Sequence, residues 1–535
     1  MFRGKSLLRI RKSYDVILIQ PPLFKSSVFT DSPSDFVERK YWESMEVHSG
    51  RLLGDLPVEA SGGILSIASY LDSLGYKVKI IDFHLLDYKK RREGLGDINQ
   101  KDIIFELSKY ISSLIGISVL TIAHEWSAKI SSIAKKILPD SYVFWGGYYP
   151  TKNFQNILRT EKSVNSIVAN EGEYTVKDII DIHSRTNNKG CFEINKIDGI
   201  HYKSGNNIIS TKIRNIINDI NELPFLNYSL YDHELLEIII PRVYSARGCS
   251  KKCSYCTADN AVLRTYRMRN PELVVDEIEH NYRIHDKKFF VMGDLEFLCN
   301  VKHARMICEE IIRRELPVRW WCQVFPPNIS DSLVGLMKRA GVIQIALGIE
   351  TNDVSNLAKL DKKISTGQEL DAILSIKKHD IQIQVYVILG LPNDTIQSCI
   401  CNIEHITDLI EKGLIDTIHY SVLVPYPGAQ LLDDNDKHKI EILSNNPSDY
   451  FMNCDYLGSG VPAYQTSHMS RFEIYCVWLL ALSMTEKKFK FNKSYRRTYR
   501  KIYEDLGILK TSLLIYPRDK EKRWDTTEKI YVHSY

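Results

Sequence analysis

The sequence predicts an α/β protein made of two consecutive parallel-sheet domains. The first is a doubly wound open sheet over residues 13–185. The second is a partial (β/α)6 barrel over residues 236–430. Three observations predict this. Short apolar runs of strand length alternate with segments of helical period, once in each region. A polar connector over residues 186–235 separates the two runs. Loops rich in small residues fall after the strands, where open sheets and barrels place their ligands.

The first region begins with Asp15 to Gln20, an apolar run stopped by Pro21-Pro22, which reads as a buried parallel strand. A long polar loop, roughly Phe24 to Ser61, follows. Gly62 to Leu74 has helical spacing at Ile64, Ile67, Ala68, Leu71 and Leu74, with Gly75 as a stop. Tyr76 to Asp82 is a second strand. Ile103 to Ile111 suits a helix, Leu114 to Leu120 a third strand, Glu125 to Ile137 a helix and Tyr142 to Trp145 a fourth strand. Ser166 to Ala169 is a short fifth. The ligand-facing loops are then Gln20-Pro21-Pro22, Ser118-Val119-Leu120-Thr121, Gly146-Gly147-Tyr148-Tyr149-Pro150-Thr151 and Glu171-Gly172-Glu173. Small residues there let a flat ligand lie against backbone. No G-x-G-x-x-G follows the first strand, which disfavours a dinucleotide.

In the connector, Gly199 to Tyr202 and Asn207 to Ser210 suggest a hairpin, and Leu223-Pro224 opens a linker. The barrel region starts with an apolar strand, Ile238 to Tyr244. Strands are expected at Phe289–Met292, Arg319–Gln323, Ile343–Ile349, Ile381–Leu389 and Thr417–Val424. Between them come helices at His303–Arg314, Asp331–Ala340 (N-cap Asp331), Thr366–His379 (capping box Thr366…Glu369) and Thr395–Lys412.

Cys249-x-x-x-Cys253-x-x-Cys256 puts three thiols on the loop after the first barrel strand. Closely spaced thiolates wrap an iron–sulfur cluster, and three of them leave one iron open for substrate or redox chemistry. A three-cysteine zinc site closed by one of the 15 histidines is the alternative. The other eight of the 11 cysteines (Cys191, Cys299, Cys308, Cys322, Cys399, Cys401, Cys454, Cys476) read as buried small hydrophobes. An odd count argues against a disulfide framework.

Composition bounds the function. The chain of 535 residues is 44% hydrophobic and 25% charged, which excludes a fibrous or disordered protein. With 70 basic against 66 acidic residues it carries no global signature of nucleic-acid binding. Charges interrupt the N-terminus too often for a signal-peptide core. The most apolar stretch, Ile474 to Met484, is too short to span a bilayer. A cytoplasmic enzyme without membrane or nucleic-acid partners is expected.

Residues 241–430 resemble a radical S-adenosylmethionine (radical SAM) enzyme, by CSKKCSYC at Cys249 to Cys256, MGD before Leu295, GIE at Gly348 to Glu350 and LGLP at Leu389 to Pro392. Residues 13–185 resemble the Rossmann-like cobalamin-binding domain that precedes this core in one branch of the family, by QPP, SVLT, GGYYPT and NEGE. The resemblance implies that Cys249, Cys253 and Cys256 ligate a 4Fe–4S cluster. Tyr255, Gly293, Asp294, Gly348, Ile349, Glu350, Gly390 and Leu391 would lie around S-adenosylmethionine. Gln20, Pro21, Pro22, Ser118, Val119, Thr121, Gly146, Gly147, Tyr148, Glu171, Gly172 and Glu173 would lie around cobalamin. The family's Asp-x-His-x-x-Gly is absent after the first strand, and Gln20-Pro21-Pro22 stands there. A bound corrin is therefore expected to lack a protein imidazole on cobalt.

The resemblance further implies a 5′-deoxyadenosyl radical, a small-molecule or peptide substrate, and an electron donor such as flavodoxin or ferredoxin. Methylation of an unactivated carbon is the leading expectation. An oxidative cyclase or rearrangement enzyme of the same architecture is the alternative, and a corrin sensor with a relic barrel is a third. The C-terminal region, residues 431–535, is expected to be mainly helical, with Phe472, Tyr475, Trp478, Leu479 and Leu482 on one side of a helix over Ser470–Thr485. Lys487 to Lys501 interleaves basic and aromatic residues and reads as a solvated helix with inward aromatics.

Overall fold

The computed structural model describes residues 11–23, 58–186, 193–257, 265–424, 426–443 and 462–486. The polar loop from Phe24, Cys191, Cys454 and the basic–aromatic segment Lys487–Lys501 lie outside these residues.

The N-terminal sheet is built from β1 (Val16–Gln20), β2 (Val78–Asp82), β3 (Leu114–Ser118), β4 (Tyr142–Gly146), β5 (Ser166–Val168), β6 (Ile200–Ser204) and β7 (Asn207–Ser210), in spatial order β7-β6-β5-β4-β3-β1-β2. Strands β1 to β5 pair in parallel. Alternation along each strand feeds two cores. Val16, Leu18, Ile80 and Phe144 pack with helix α1 (Gly62–Ser73) on one face, and Ile17, Ile19, Ile115 and Trp145 pack on the other. The hairpin expected in the connector is present, but it is part of this sheet: β6 joins β5 antiparallel, so the sheet runs past residue 185.

At the carboxyl end of β2, Asp82 is buried. Its carboxylate accepts from Leu85 N at 3.0 Å and from the Tyr231 hydroxyl at 3.4 Å. Burial outweighs these bonds and pushes its pKa up to about 7. A carboxyl whose folded pKa lies above its unfolded value favours folding at low pH, and this contribution is lost as pH rises through the folded pKa. Asp82→Asn should therefore remove a decline in stability between about pH 4 and pH 7, measured by denaturant titration at each pH. An unchanged slope would contradict the assignment.

The barrel sheet is parallel throughout, in the order β8 (Arg242–Val243), β9 (Phe289–Met292), β10 (Arg319–Val324), β11 (Val342–Glu350), β12 (Gln382–Leu389) and β13 (Thr417–Val422). Its outward residues, among them Trp320, Cys322, Leu347, Val385 and Val387, share one core with the surrounding helices. Those helices include α2 (Pro271–His285), absent from the sequence expectation, α3 (Val301–Arg313), α4 (Asp331–Arg339), α5 (Thr366–Lys378) and α6 (Ile396–Glu411).

Local expectations are corrected at four places. Pro241 splits the expected first barrel strand, and Ile239–Ile240 leaves the barrel to pair with Val58–Glu59. The N-cap of α4 is Ser330, with Asp331 in the first turn. The capping box of α5 is Ser365 with Gln368, one residue earlier than expected. In the C-terminal helix α7 (Arg471–Glu486), Phe472 is exposed; Trp478 is buried together with Ile474, Val477 and Ala481, which the expected apolar side did not include. Among the described residues no helix is long and apolar enough to cross a membrane.

Candidate active site

The three thiols at Cys249, Cys253 and Cys256 are partly exposed on the loop that leaves β8. Backbone bonds to the barrel fix this loop: Ser254 N donates to Leu360 O at 3.0 Å, and Leu431 N donates to Ser254 O at 2.8 Å. Charged or thiol groups set beside the loop are Cys299, Glu350 and Lys362. Among the described residues no three His, Cys, Asp or Glu side chains converge on one point as a mononuclear zinc ion requires. A 4Fe–4S cluster distributes its ligands over separate irons, which three thiols within eight residues of one loop can supply.

Two cysteines depart from the expectation of burial. Cys401 is exposed, and Cys299 is half-buried beside the loop, with its Sγ 3.0 Å from the Ser250 hydroxyl. Cys308, Cys322, Cys399 and Cys476 are buried.

Behind the loop, Glu350 accepts a hydrogen bond from the Tyr255 hydroxyl at 2.8 Å and an ion-paired hydrogen bond from Lys362. Both members of the Lys362–Glu350 pair are buried. Burial first, then the Glu350 charge, pushes the Tyr255 phenol well above its usual range, which keeps it a donor. Glu350 sits at φ +67° just past a bulge in the β11–β12 ladder. A Cβ on Gly348 would stand 2.6 Å from Glu350 Oε1 and 2.8 Å from Lys362 Nζ, so the pair requires glycine there. Ile349 points into the outer core. Lys362 was not legible in the sequence, where it is one of many lysines.

Asp294, expected near S-adenosylmethionine, is tied to the segment that precedes the cysteine loop. It is buried, and its carboxylate accepts from Ser245 N at 2.8 Å, Ala246 N at 3.1 Å and the Ser245 hydroxyl. These bonds offset burial only in part, and the pKa is raised to about 6. Asp294 thus orients the chain that leads into Arg247 and Cys249. Leu391 is a core side chain, and Gly390 O accepts from the Tyr464 hydroxyl at 2.8 Å, so this turn is engaged with the C-terminal region.

A cavity of about 410 Å³ lies between the carboxyl ends of the N-terminal strands and the barrel mouth. Of the residues expected around cobalamin, Ser118, Gly146, Gly147, Tyr148, Glu171, Gly172 and Glu173 line it. From the barrel side come Ala246, Arg247, Gly248 and Gly293. Gln20, Pro21, Pro22, Val119 and Thr121 are not among its lining; they are buried, Val119 in the core beneath. The Tyr148 hydroxyl is buried without a hydrogen-bond partner among the described residues, and burial raises its pKa to about 12. An unpartnered buried hydroxyl at a cavity wall is the kind of group a ligand satisfies.

Glu171 and Glu173 reach the cavity wall but spend their carboxylates elsewhere. Arg247 Nη1 donates to Glu171 at 2.7 Å, and Arg247 Nη2 donates to Glu173 at 2.7 Å and to the Ser66 hydroxyl at 2.8 Å. Arg267 Nη1 adds a bond to Glu171 at 2.9 Å. The NEGE segment is therefore half of an ion-pair clamp that joins the sheet to the chain two residues before Cys249.

Residues 243–400 match the Radical SAM superfamily. An anaerobic magnesium-protoporphyrin IX monomethyl ester cyclase of Cereibacter sphaeroides is 24% identical over 375 residues, 68% of this chain; the chain spans 59% of that protein's length. An uncharacterized methyltransferase of Pyrococcus horikoshii is 26% identical over 384 residues, covering 70% of this chain and 78% of that protein. Among solved structures, the radical S-adenosylmethionine methyltransferase TsrM from Kitasatospora setae, with cobalamin and a [4Fe-4S] cluster bound, aligns with a TM-score of 0.61 at 13% identity, covering 94% of this chain and all of that one. The cysteine loop and most of the barrel thus lie within a Radical SAM domain, and the chain has the fold of the cobalamin-bound methyltransferase.

Proposed function

We propose that this radical SAM enzyme is a cobalamin-dependent methyltransferase acting on an unactivated carbon of a small metabolite or peptide. The observation that carries the reading is the shared cavity, whose walls come from the carboxyl ends of β3 and β4 on one side and from the cysteine-loop approach on the other. Cys249, Cys253 and Cys256 would hold the cluster, and Gly146, Gly147, Tyr148 and Gly172 would face the corrin. When bound, the cluster with S-adenosylmethionine supplies one-electron C–H activation, and the corrin supplies a methyl carrier. The chain's own residues do the positioning. The Glu350–Lys362–Tyr255 set anchors the cysteine loop on β11, Asp294 aligns Ser245 and Ala246, and Arg247 fixes that approach to the sheet. Holding both reactive centres against one cavity is the main contribution such a scaffold makes. The single electron would come from a donor of flavodoxin or ferredoxin type.

The cyclase reading keeps the cluster and drops the methyl carrier. Anaerobic expression with cobalamin supplied separates the two. About one corrin per chain is expected, and its cobalt(II) form should show no strongly coupled axial nitrogen in electron paramagnetic resonance, because no Asp-x-His-x-x-Gly follows β1. Failure to take up corrin would contradict the proposal, as would a clear nitrogen hyperfine pattern.

A further inference from the structure

The barrel lumen has two unlike halves. On the β8–β10 side it is apolar, where Phe289, Val291 and Trp321 pack with Ile240, Ile343 and Ala346. On the β11–β13 side the inward positions carry Gln344, Gln384, Tyr386, Thr417 and His419. The register stacks them in layers. Tyr386 stands beside Gly348 and His419, level with the Gly348–Glu350 segment, and its ring lies 5.2 Å from the imidazole. One layer further in, Gln384 stands beside Ala346 and Thr417.

These polar groups are more than the fold consumes. Gln344 donates to Thr417 Oγ1 at 3.3 Å, but its own Oε1 accepts nothing among the described residues. Gln384 Oε1 is likewise buried and without a partner, and the residue is only 7% exposed. An outward core needs no such groups, and each orphaned acceptor is costly to keep.

We propose that the β11–β13 wall is the specificity surface for the reacting substrate. It takes a substrate whose buried end presents N–H or O–H donors, such as an amide or hydroxyl, with its apolar side against Trp321. A hydrocarbon or a macrocycle would leave the Gln384 and Gln344 oxygens unsatisfied and would be rejected for that reason. This rests on the reading that the barrel holds the substrate. It does not rest on methyl transfer, since a cyclase would use the same wall.

The test uses the oxidised, iron-loaded protein and saturation-transfer NMR, with glycinamide as the donor-bearing probe and toluene as the hydrocarbon probe. Wild type should bind glycinamide in preference to toluene. Gln384→Met should bind glycinamide about five- to tenfold more weakly, the equivalent of one hydrogen bond. Its thermal midpoint should stay at or above that of wild type, because an unsatisfied acceptor has been removed. Iron content is read on the same samples and reports separately on the cluster. The proposal is overturned if toluene binds wild type as well as glycinamide does, or if Gln384→Met leaves glycinamide binding unchanged. A lower midpoint in Gln384→Met overturns it too, since the amide would then be structural.

Discussion

Anaerobically reconstituted protein should carry about four irons per chain, and the Cys249→Ala, Cys253→Ala, Cys256→Ala triple variant close to none. The three thiols are partly exposed on a loop held by its backbone bonds to Leu360 and Leu431, so their removal should leave the barrel folded. Circular dichroism would then be unchanged while the brown chromophore and S-adenosylmethionine cleavage are both lost. Cys299→Ser sharpens the result. That thiol lies beside Ser250, but the reading assigns it no iron, so iron content should persist. Zinc in place of iron in the wild type would refute the cluster assignment, and loss of iron in Cys299→Ser would replace a three-cysteine site by a four-cysteine one.

Arg247→Met should destabilise the protein by about 3 kcal/mol, the usual scale for removing one partner of a buried ion pair. The guanidinium side chain is 25% exposed, while Glu173 is 4% and Glu171 is 11% exposed at the side chain. Methionine keeps most of the apolar stem, so the effect isolates the lost fork. Glu171 retains Arg267 and the Ile217 amide, but Glu173 retains only the Ser66 hydroxyl among the described residues. Adding Glu173→Gln to Arg247→Met should therefore recover part of the loss, because the stranded charge is gone. Arg247→Lys should not rescue fully, since an ammonium cannot bridge two carboxylates and a hydroxyl as a planar fork does. An Arg247→Met variant as stable as wild type would show that the clamp does not hold the two domains together.

The contrast between Cys249 and Glu171 shows what a sequence discloses. The cysteine loop was legible because three cysteines fall within eight residues and follow a strand. The strands of both sheets were legible because burial on two faces leaves continuous apolar runs, as in β1 and β9. Glu171 and Glu173 were read as ligand contacts because their loop falls at a strand end. Their partner Arg247 lies 76 and 74 positions away, and no local pattern records that pairing. Lys362 was missed for the same reason, although with Glu350 it occupies the space a Cβ on Gly348 would take. Helix α2 went unseen although Asn270 caps it and Pro271 opens it. The hairpin β6–β7 was recognised, but its attachment to β5 depends on long-range register that alternation alone does not supply.

The central claim, that the cavity brings a methyl carrier to a radical barrel, is tested most directly by label transfer without any knowledge of the substrate. Corrin-loaded, cluster-reconstituted protein is incubated under reducing conditions with S-adenosylmethionine deuterated in its methyl group, and the corrin is extracted for mass spectrometry. The account predicts trideuteromethyl-cobalamin together with an equivalent of S-adenosylhomocysteine. Unlabelled corrin, with 5′-deoxyadenosine as the sole product, would contradict it and favour the cyclase reading.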